Sequence, residues 1–197
     1  MASDEKLRFG MVKRRHAETF GKALRQGKVD EQMQPLCSFI AGTKNFFTSS
    51  CCSGRIMLLE KKGGKKKDNF FHRKWHRPVS AGELREALAE ETSGDLWFKT
   101  EPFILHVGCA GLSGAEKILG CMKRAGVKRG GIIVAEKGKF LVELQGTERM
   151  EFPVKVGGEM VALTGFVVKA LETANPLLEK NYERLAKLEK EFRKSLE

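Results

Sequence analysis

Apolar residues recur along this chain with a period that changes several times. Over residues 4–26, Leu7, Met11, His16, Phe20 and Leu24 mark an amphipathic face among charges, and Gly27 supplies a residue suited to end a helix. Asp30 stands where an N-cap carboxylate would accept the free amides of a second helix, on which Met33, Leu36, Cys37 and Ile40 fall at helical spacing before Gly42. Residues 55–59 and 70–75 read as strands of a hairpin. Their connection, Lys61-Lys62-Gly63-Gly64-Lys65-Lys66-Lys67, predicts a Gly-Gly turn with a cationic tip. Leu84, Ala87 and Leu88 then share one side of a short helix over residues 83–91.

Strand character returns over residues 96–107 but is broken by Glu101-Pro102, and proline inside a strand demands an edge, a bulge or two separate strands. A glycine-rich link at 108–114 opens a helix over residues 113–125, for which Ser113 and Glu116 have capping-box spacing. Residues 132–135 and 140–144 form a second hairpin. Met160, Leu163, Val167 and Leu171 predict a helix ending near Asn175-Pro176, and Leu178, Tyr182, Leu185, Leu188 and Phe192 an amphipathic C-terminal helix over residues 176–197. The two hairpins sit in similar strand and helix order, which leaves an internal duplication open. Hairpins interleaved with helices, without regular βαβ alternation, indicate an α+β fold with mixed or antiparallel sheets. The 197 residues suit a single domain, or two intertwined α+β subdomains.

Charge adds a partner class. Lys and Arg number 36 against 25 Asp and Glu, a net charge of +11, which favours a polyanion such as nucleic acid. Five cysteines, Cys37, Cys51, Cys52, Cys109 and Cys121, show no C-x-x-C spacing, so neither a disulfide framework nor a bound metal is expected, and a reducing cytoplasm is. The N-terminus carries charges where a signal peptide needs an apolar core, and no apolar run reaches the roughly 18–20 residues of a membrane span.

Four features carry candidate chemistry. The run Phe46-Phe47-Thr48-Ser49-Ser50-Cys51-Cys52-Ser53-Gly54-Arg55 concentrates small hydroxyls and thiols before one guanidinium, a set that suits a polar or anionic ligand; a ligand-binding loop ranks above covalent catalysis by either cysteine. Gly108, Gly111 and Gly114 stand between a strand and a helix, but their spacing is not G-x-G-x-x-G and a structural role outranks a nucleotide loop. Lysines 61, 62, 65, 66 and 67, with Arg73, Lys74 and Arg77, are interleaved with Phe70, Phe71, Trp75, His72 and His76, as phosphate neutralisation and base stacking require. His106 lies in an apolar strand whose alternation puts Glu101 on the opposite face, so this strand supplies no carboxylate partner for it.

The signature run, together with Trp75-His76, Glu101-Pro102-Phe103-Ile104-Leu105-His106-Val107 and Lys128-Arg129-Gly130-Gly131-Ile132, resembles the wybutosine-synthesising methyltransferases of the third pathway step, over residues 28–175. The resemblance implies a fold other than the classical Rossmann methyltransferase. It also implies methyl transfer from S-adenosylmethionine to N4 of the tricyclic base at position 37, in the anticodon loop of phenylalanine tRNA. Matched positions assign Arg55, His106 and His76 to catalysis and Ser50, Cys52, Ser53, Gly54, Glu101 and Pro102 to the cofactor. Ser49, Lys65, Lys66, Lys67, Arg73 and Trp75 are assigned to RNA. Two positions depart from the family: Cys51 replaces a usual serine, and Phe9-Gly10 stands where the N-terminal helix commonly reads Phe-Asp. A non-catalytic tRNA-binding module and a cysteine-dependent hydrolase are the competing readings.

Overall fold

The structure, a computed structural model, describes residues 3–196, apart from the side chains of Ser3 and Lys66. Its elements are α1 (Ser3–Arg25), α2 (Gln34–Gly42), β1 (Phe46–Cys52), β2 (Arg55–Lys61), β3 (Asn69–Trp75), α3 (Ala81–Ala89), β4 (Asp95–Glu101), β5 (Ile104–Cys109), α4 (Leu112–Arg124), β6 (Arg129–Glu136), β7 (Lys139–Gln145), β8 (Met150–Val156), β9 (Glu159–Met160), α5 (Thr164–Lys169) and α6 (Leu171–Ser195). The fold is α+β with two antiparallel sheets, and the chain divides into two compact units.

The first unit holds the residues up to Ser53, Phe103–Thr147 and those from Tyr182 onward. Its sheet runs in the order β1-β5-β7-β6. Alternation along the strands sends Phe46, Leu105, Val107, Cys109, Val142 and Leu144 to one face, where they meet Leu36, Cys37 and Ile40 of α2, Ala115 and Ile118 of α4 and Leu188 and Phe192 of α6 in one buried core. The helix α1 lies beside β1: Phe9 and His16 pack on Phe47, while Phe20, Ala23 and Leu24 reach the core farther along. Half-buried Lys13 anchors it by donating to the carbonyls of Ala41 at 3.1 Å and Phe46 at 2.7 Å.

The second unit holds Gly54–Pro102 and Glu148–Asn181, around a sheet of order β3-β2-β4-β8-β9. The helices α3 and α5 lie against one face of it. There Arg73 pairs with Glu90 at the end of α3, Lys155 donates to the Glu90 carbonyl, and Phe152 meets Phe166 of α5 edge-on. A reciprocal capping box of Ser80 and Glu83 starts α3. The buried Glu60 carboxylate accepts from the amides of Ser93 and Gly94, fixing the turn before β4.

Four expectations are corrected. Asp30 makes no cap; the 3-10 turn after it begins without one, and its carboxylate serves Ser53 instead. The helix α4 starts one residue early, at Leu112 with Gly111 as its N-cap, so Ser113 is already inside the first turn and there is no capping box. The β2–β3 connection is not a Gly-Gly turn, because Asp68 closes a longer loop by accepting from the Lys65 amide and, through its carbonyl, from Lys62. Asn175-Pro176 ends no helix: Pro176 lies inside α6, and Asn175 clamps both backbone groups of Val79 from the same helix. The break comes earlier, at Ala170. The Glu101-Pro102 interruption separates two strands of different sheets, β4 and β5.

Two of the glycines at 108–114, Gly108 and Gly114, serve packing. A Cβ on Gly108 would collide with the buried Phe47 ring of the neighbouring strand, and one on Gly114 would press on Cys109. Gly108→Ala is expected to lower stability by roughly 1–3 kcal/mol through overpacking, read as a lowered denaturation midpoint; an unchanged midpoint would show that the ring can yield.

Candidate active site

The signature run folds as β1 and the turn after it, and its side chains are sorted by one irregularity. Pairing with β5 runs Phe46 to Cys109, Phe47 to Gly108 and Thr48 to Val107, then resumes with Ser50 opposite His106. Ser49 is therefore an extra residue, a bulge that turns Ser50 to the face of His106 instead of the core. On that face the row continues across β7, because His106 pairs with Glu143. The His106 Nε2 and Glu143 Oε2 lie 2.9 Å apart. A carboxylate can only accept, so Nε2 is the donor of this bond and Nδ1 is the ring nitrogen it leaves for another partner. The Thr48 hydroxyl donates to the His106 carbonyl at 3.2 Å, tying the strands at this point.

Beside the bulge opens a cleft of about 220 Å3, lined by Ser49, Ser50 and Cys51 on the strand side, by His16, Thr19 and Phe20 of α1, and by Lys28. His16 stacks on Phe47 with centroids 4.7 Å apart and planes at 6°. Burial, then the charges of Arg15 and Lys139, lower its pKa below the ordinary 6.5 and favour a neutral ring. Ser53 is fully buried and donates to Asp30 through its amide at 2.8 Å and its hydroxyl at 3.0 Å. Cys51 packs on the core next to Cys37. Their hydrogen bond, with burial, drives the Cys37 thiol up; the same bond draws Cys51 down against burial and the Asp30 charge. A thiol, not a cation, is the source of that lowering, which is not the setting of a nucleophilic cysteine.

Gly54 takes φ 95°, a left-handed conformation that a side chain rarely adopts, and delivers the chain to β2. Arg55 opens that strand opposite Glu101 of β4. Its Nε and Nη2 donate to one Glu101 oxygen at 2.9 and 2.6 Å, and its guanidinium sits 4.9 Å from the centroid of the Phe71 ring. Pro102 is buried, and His76 is half-buried just past β3. Trp75, at the end of β3, pairs with Ile56, and Arg73 with Leu58, so both stand on the sheet face away from Arg55 and Glu101. Lys65 and Lys67 are exposed at the hairpin tip, and the side chain of Lys66 lies outside the described atoms.

Sequence reasoning missed Glu143, Asp30 and His16. Glu143 had a detectable signal, a carboxylate alternating with Val142 and Leu144 on a strand, but its partner depends on which strand β7 pairs with. Among the described residues no helix is long and apolar enough to cross a membrane.

Fold and site define an antiparallel α+β enzyme scaffold, distinct from the parallel nucleotide-binding sheets. Residues 11–194 match the family model Methyltransferase TYW3, and the chain belongs to that family. Among curated relatives, the tRNA(Phe) 7-((3-amino-3-carboxypropyl)-4-demethylwyosine(37)-N(4))-methyltransferase of Thermococcus sibiricus is 34% identical over 187 residues, covering 94% of this chain and 95% of the relative. The tRNA wybutosine-synthesizing protein 3 homolog of Mus musculus is 30% identical, covering 93% of this chain and 72% of the relative. The solved structure of the PH1069 protein from Pyrococcus horikoshii superposes with a TM-score of 0.88 at 35% identity, covering 94% of this chain and 96% of that one. A methyltransferase family implies a methyl donor.

The lowered pKa of His16 has a stability consequence. Below its ordinary 6.5 the unfolded chain takes up a proton that the folded one resists, so stability falls as pH drops below about 6.5. His16→Gln should flatten the slope of unfolding free energy between pH 7 and 5; an identical slope in both proteins would refute the assignment.

Proposed function

We propose that the protein transfers a methyl group from S-adenosylmethionine to N4 of the tricyclic wyosine-type base at position 37, in the anticodon loop of phenylalanine tRNA, in the cytoplasm. The observation that carries this reading is the cross-strand row in which Ser50 stands opposite His106, whose Nε2 is held by Glu143 at 2.9 Å. A ring nitrogen that gains a methyl group sheds its proton, and an imidazole with one nitrogen fixed by a carboxylate offers the other as acceptor. The net charge of +11 suits an RNA substrate, and the five free cysteines suit a reducing compartment.

The cleft's lining fits one end of the donor. Its lining combines the polar Thr19, Ser49, Ser50 and Lys28 with the apolar Phe20, Ala23 and Val29. That set matches a carboxylate and amine at the end of an aliphatic chain. At about 220 Å3 the cleft is below the roughly 300–1,000 Å3 of whole-ligand pockets, so it accommodates one end of such a molecule. When bound, S-adenosylmethionine supplies an electrophilic methyl group on a positively charged sulfur.

The chain's own contribution is mainly placement, since aligned reactants can account for roughly 7–11 kcal/mol of barrier lowering. In the first unit, Ser50 and Cys52 face the donor, Ser53 shapes the loop through Asp30, and His106 takes the ring proton at Nδ1. In the second, Gly54 and Pro102 are assigned to the donor, and Glu101 fixes the Arg55 guanidinium that orients the base. His76 is the second candidate for proton transfer. Ser49, Lys65, Lys66 and Lys67 are assigned to the RNA, and Arg73 and Trp75, on the other face of their sheet from Arg55, are left out of it.

Incubation with hypomodified phenylalanine tRNA and labelled S-adenosylmethionine should place the label on base 37, located by mass analysis. His106→Ala should slow transfer roughly 10²- to 10⁴-fold, and Arg55→Ala should do so comparably, with both variants folded by circular dichroism. Unlabelled tRNA after reaction with the unaltered protein would overturn the function; full activity in both variants would overturn the residue assignments.

A further inference from the structure

The second sheet has two unlike faces. One receives α3 and α5; the other carries Arg55, Met57, Leu59 and Lys61 of β2, Trp97, Lys99 and Glu101 of β4, and Lys74 and Phe71 of the edge strand β3. On this second face Phe71 leaves 48% of its surface exposed at the sheet edge. A lone exposed phenylalanine is unremarkable, but this one is bracketed by cations. The Arg55 guanidinium lies 4.9 Å and the Lys74 ammonium 5.1 Å from its centroid. Two strands over, Lys61 sits 3.8 Å above the Trp97 ring. Phe70, the adjacent residue, pairs with Glu60 and belongs to the other face of the sheet, so it is no part of this patch.

We propose that this face, with Phe71 as its anchor, is a stacking platform for unpaired bases of an RNA strand that runs along β3. Every base offers a π-face, so an aromatic ring at an open sheet edge accepts bases of any sequence, while the flanking ammonium groups neutralise the phosphates between them. A protein partner is disfavoured by the composition of the patch, since lysine is depleted at the centre of protein interfaces. The assignment differs from the sequence expectation in a specific way. Trp75 and Arg73 point to the helix-covered side, and Arg73 is engaged by Glu90, which leaves Phe71 and Lys74 to do the reading. Arg55 borders the platform, so a strand stacked on Phe71 presents its next nucleotide to the guanidinium assigned to orient the modified base. The inference rests on the proposed action on tRNA.

The test is the affinity of the full chain for two RNAs of equal length, one a hairpin with the anticodon stem and loop of phenylalanine tRNA, the other fully paired. The unaltered protein should prefer the hairpin. Phe71→Ala should weaken hairpin binding about 5- to 100-fold, the worth of one stacked base, with little change for the duplex, while Phe71→Trp should retain it. Lys74→Ala should weaken both RNAs and reduce the slope of log affinity against log salt by about one. Thermal melts check that each variant is folded. Equal affinity of Phe71→Ala and the unaltered protein for the hairpin, or equal losses for hairpin and duplex, would overturn the platform. Methyl transfer at saturating tRNA separates this from the parent reading: transfer by the unaltered protein with unchanged Phe71→Ala affinity refutes the platform alone, and absent transfer refutes the function whatever the binding shows.

Discussion

The register of β5 between β1 and β7 is the constraint on which the candidate site depends. Side chains alternate across a strand, so a slip of one residue would carry His106 into the core and Leu105 out of it. That exchange is prevented by burial. Leu105, Val107, Val142 and Leu144 are fully buried in one cluster with helices α2, α4 and α6, and each large apolar side chain turned outward would forfeit about 1.5–3 kcal/mol. Against that background the bulge at Ser49 acts as a switch of face. It lets β1 contribute Thr48 and Cys51 to the core side and Ser50 to the polar row, a combination that strict alternation forbids.

Other parts of the signature run are held by polar contacts whose value is positional. Arg55 and Glu101 are each about a quarter exposed, 26% and 29%, so their ion pair contributes on the order of 0–1 kcal/mol to stability. Its consequence is direction: two nitrogens fixed on one oxygen leave the guanidinium a single orientation next to Phe71. Asp30 does the same for Ser53, a residue too small to fix its own loop. Both partners are remote in sequence, and each binds through groups that a serine or arginine presents in any conformation.

Much of the fold was legible. Helical spacing located α1, α2 and the C-terminal helix, both hairpins formed where turn residues separated apolar runs, and Glu101-Pro102 marked a change of strand. The errors share a cause. Asp30, Ser113 and Gly63-Gly64 carry strong local preferences for caps and turns, and each gave way to another residue: Ser53 took the Asp30 carboxylate, Gly111 took the N-cap position, and Asp68 closed the loop. Local propensity is worth about a kilocalorie per mole, and a hydrogen bond to a buried group matches or exceeds it.

The sequence by itself determined the α+β class, the cationic character, the signature run and the family resemblance, because these follow from composition and from spacing within short segments. The tertiary structure alone decided that His106 has a carboxylate partner, that Ser50 shares its face, and that Phe71 and Lys74, not Trp75 and Arg73, occupy the open side of the second sheet. Those facts depend on which strands pair, in what register, and where the bulges fall. Such choices are made by burying the whole apolar set at once, so no local stretch of residues contains them.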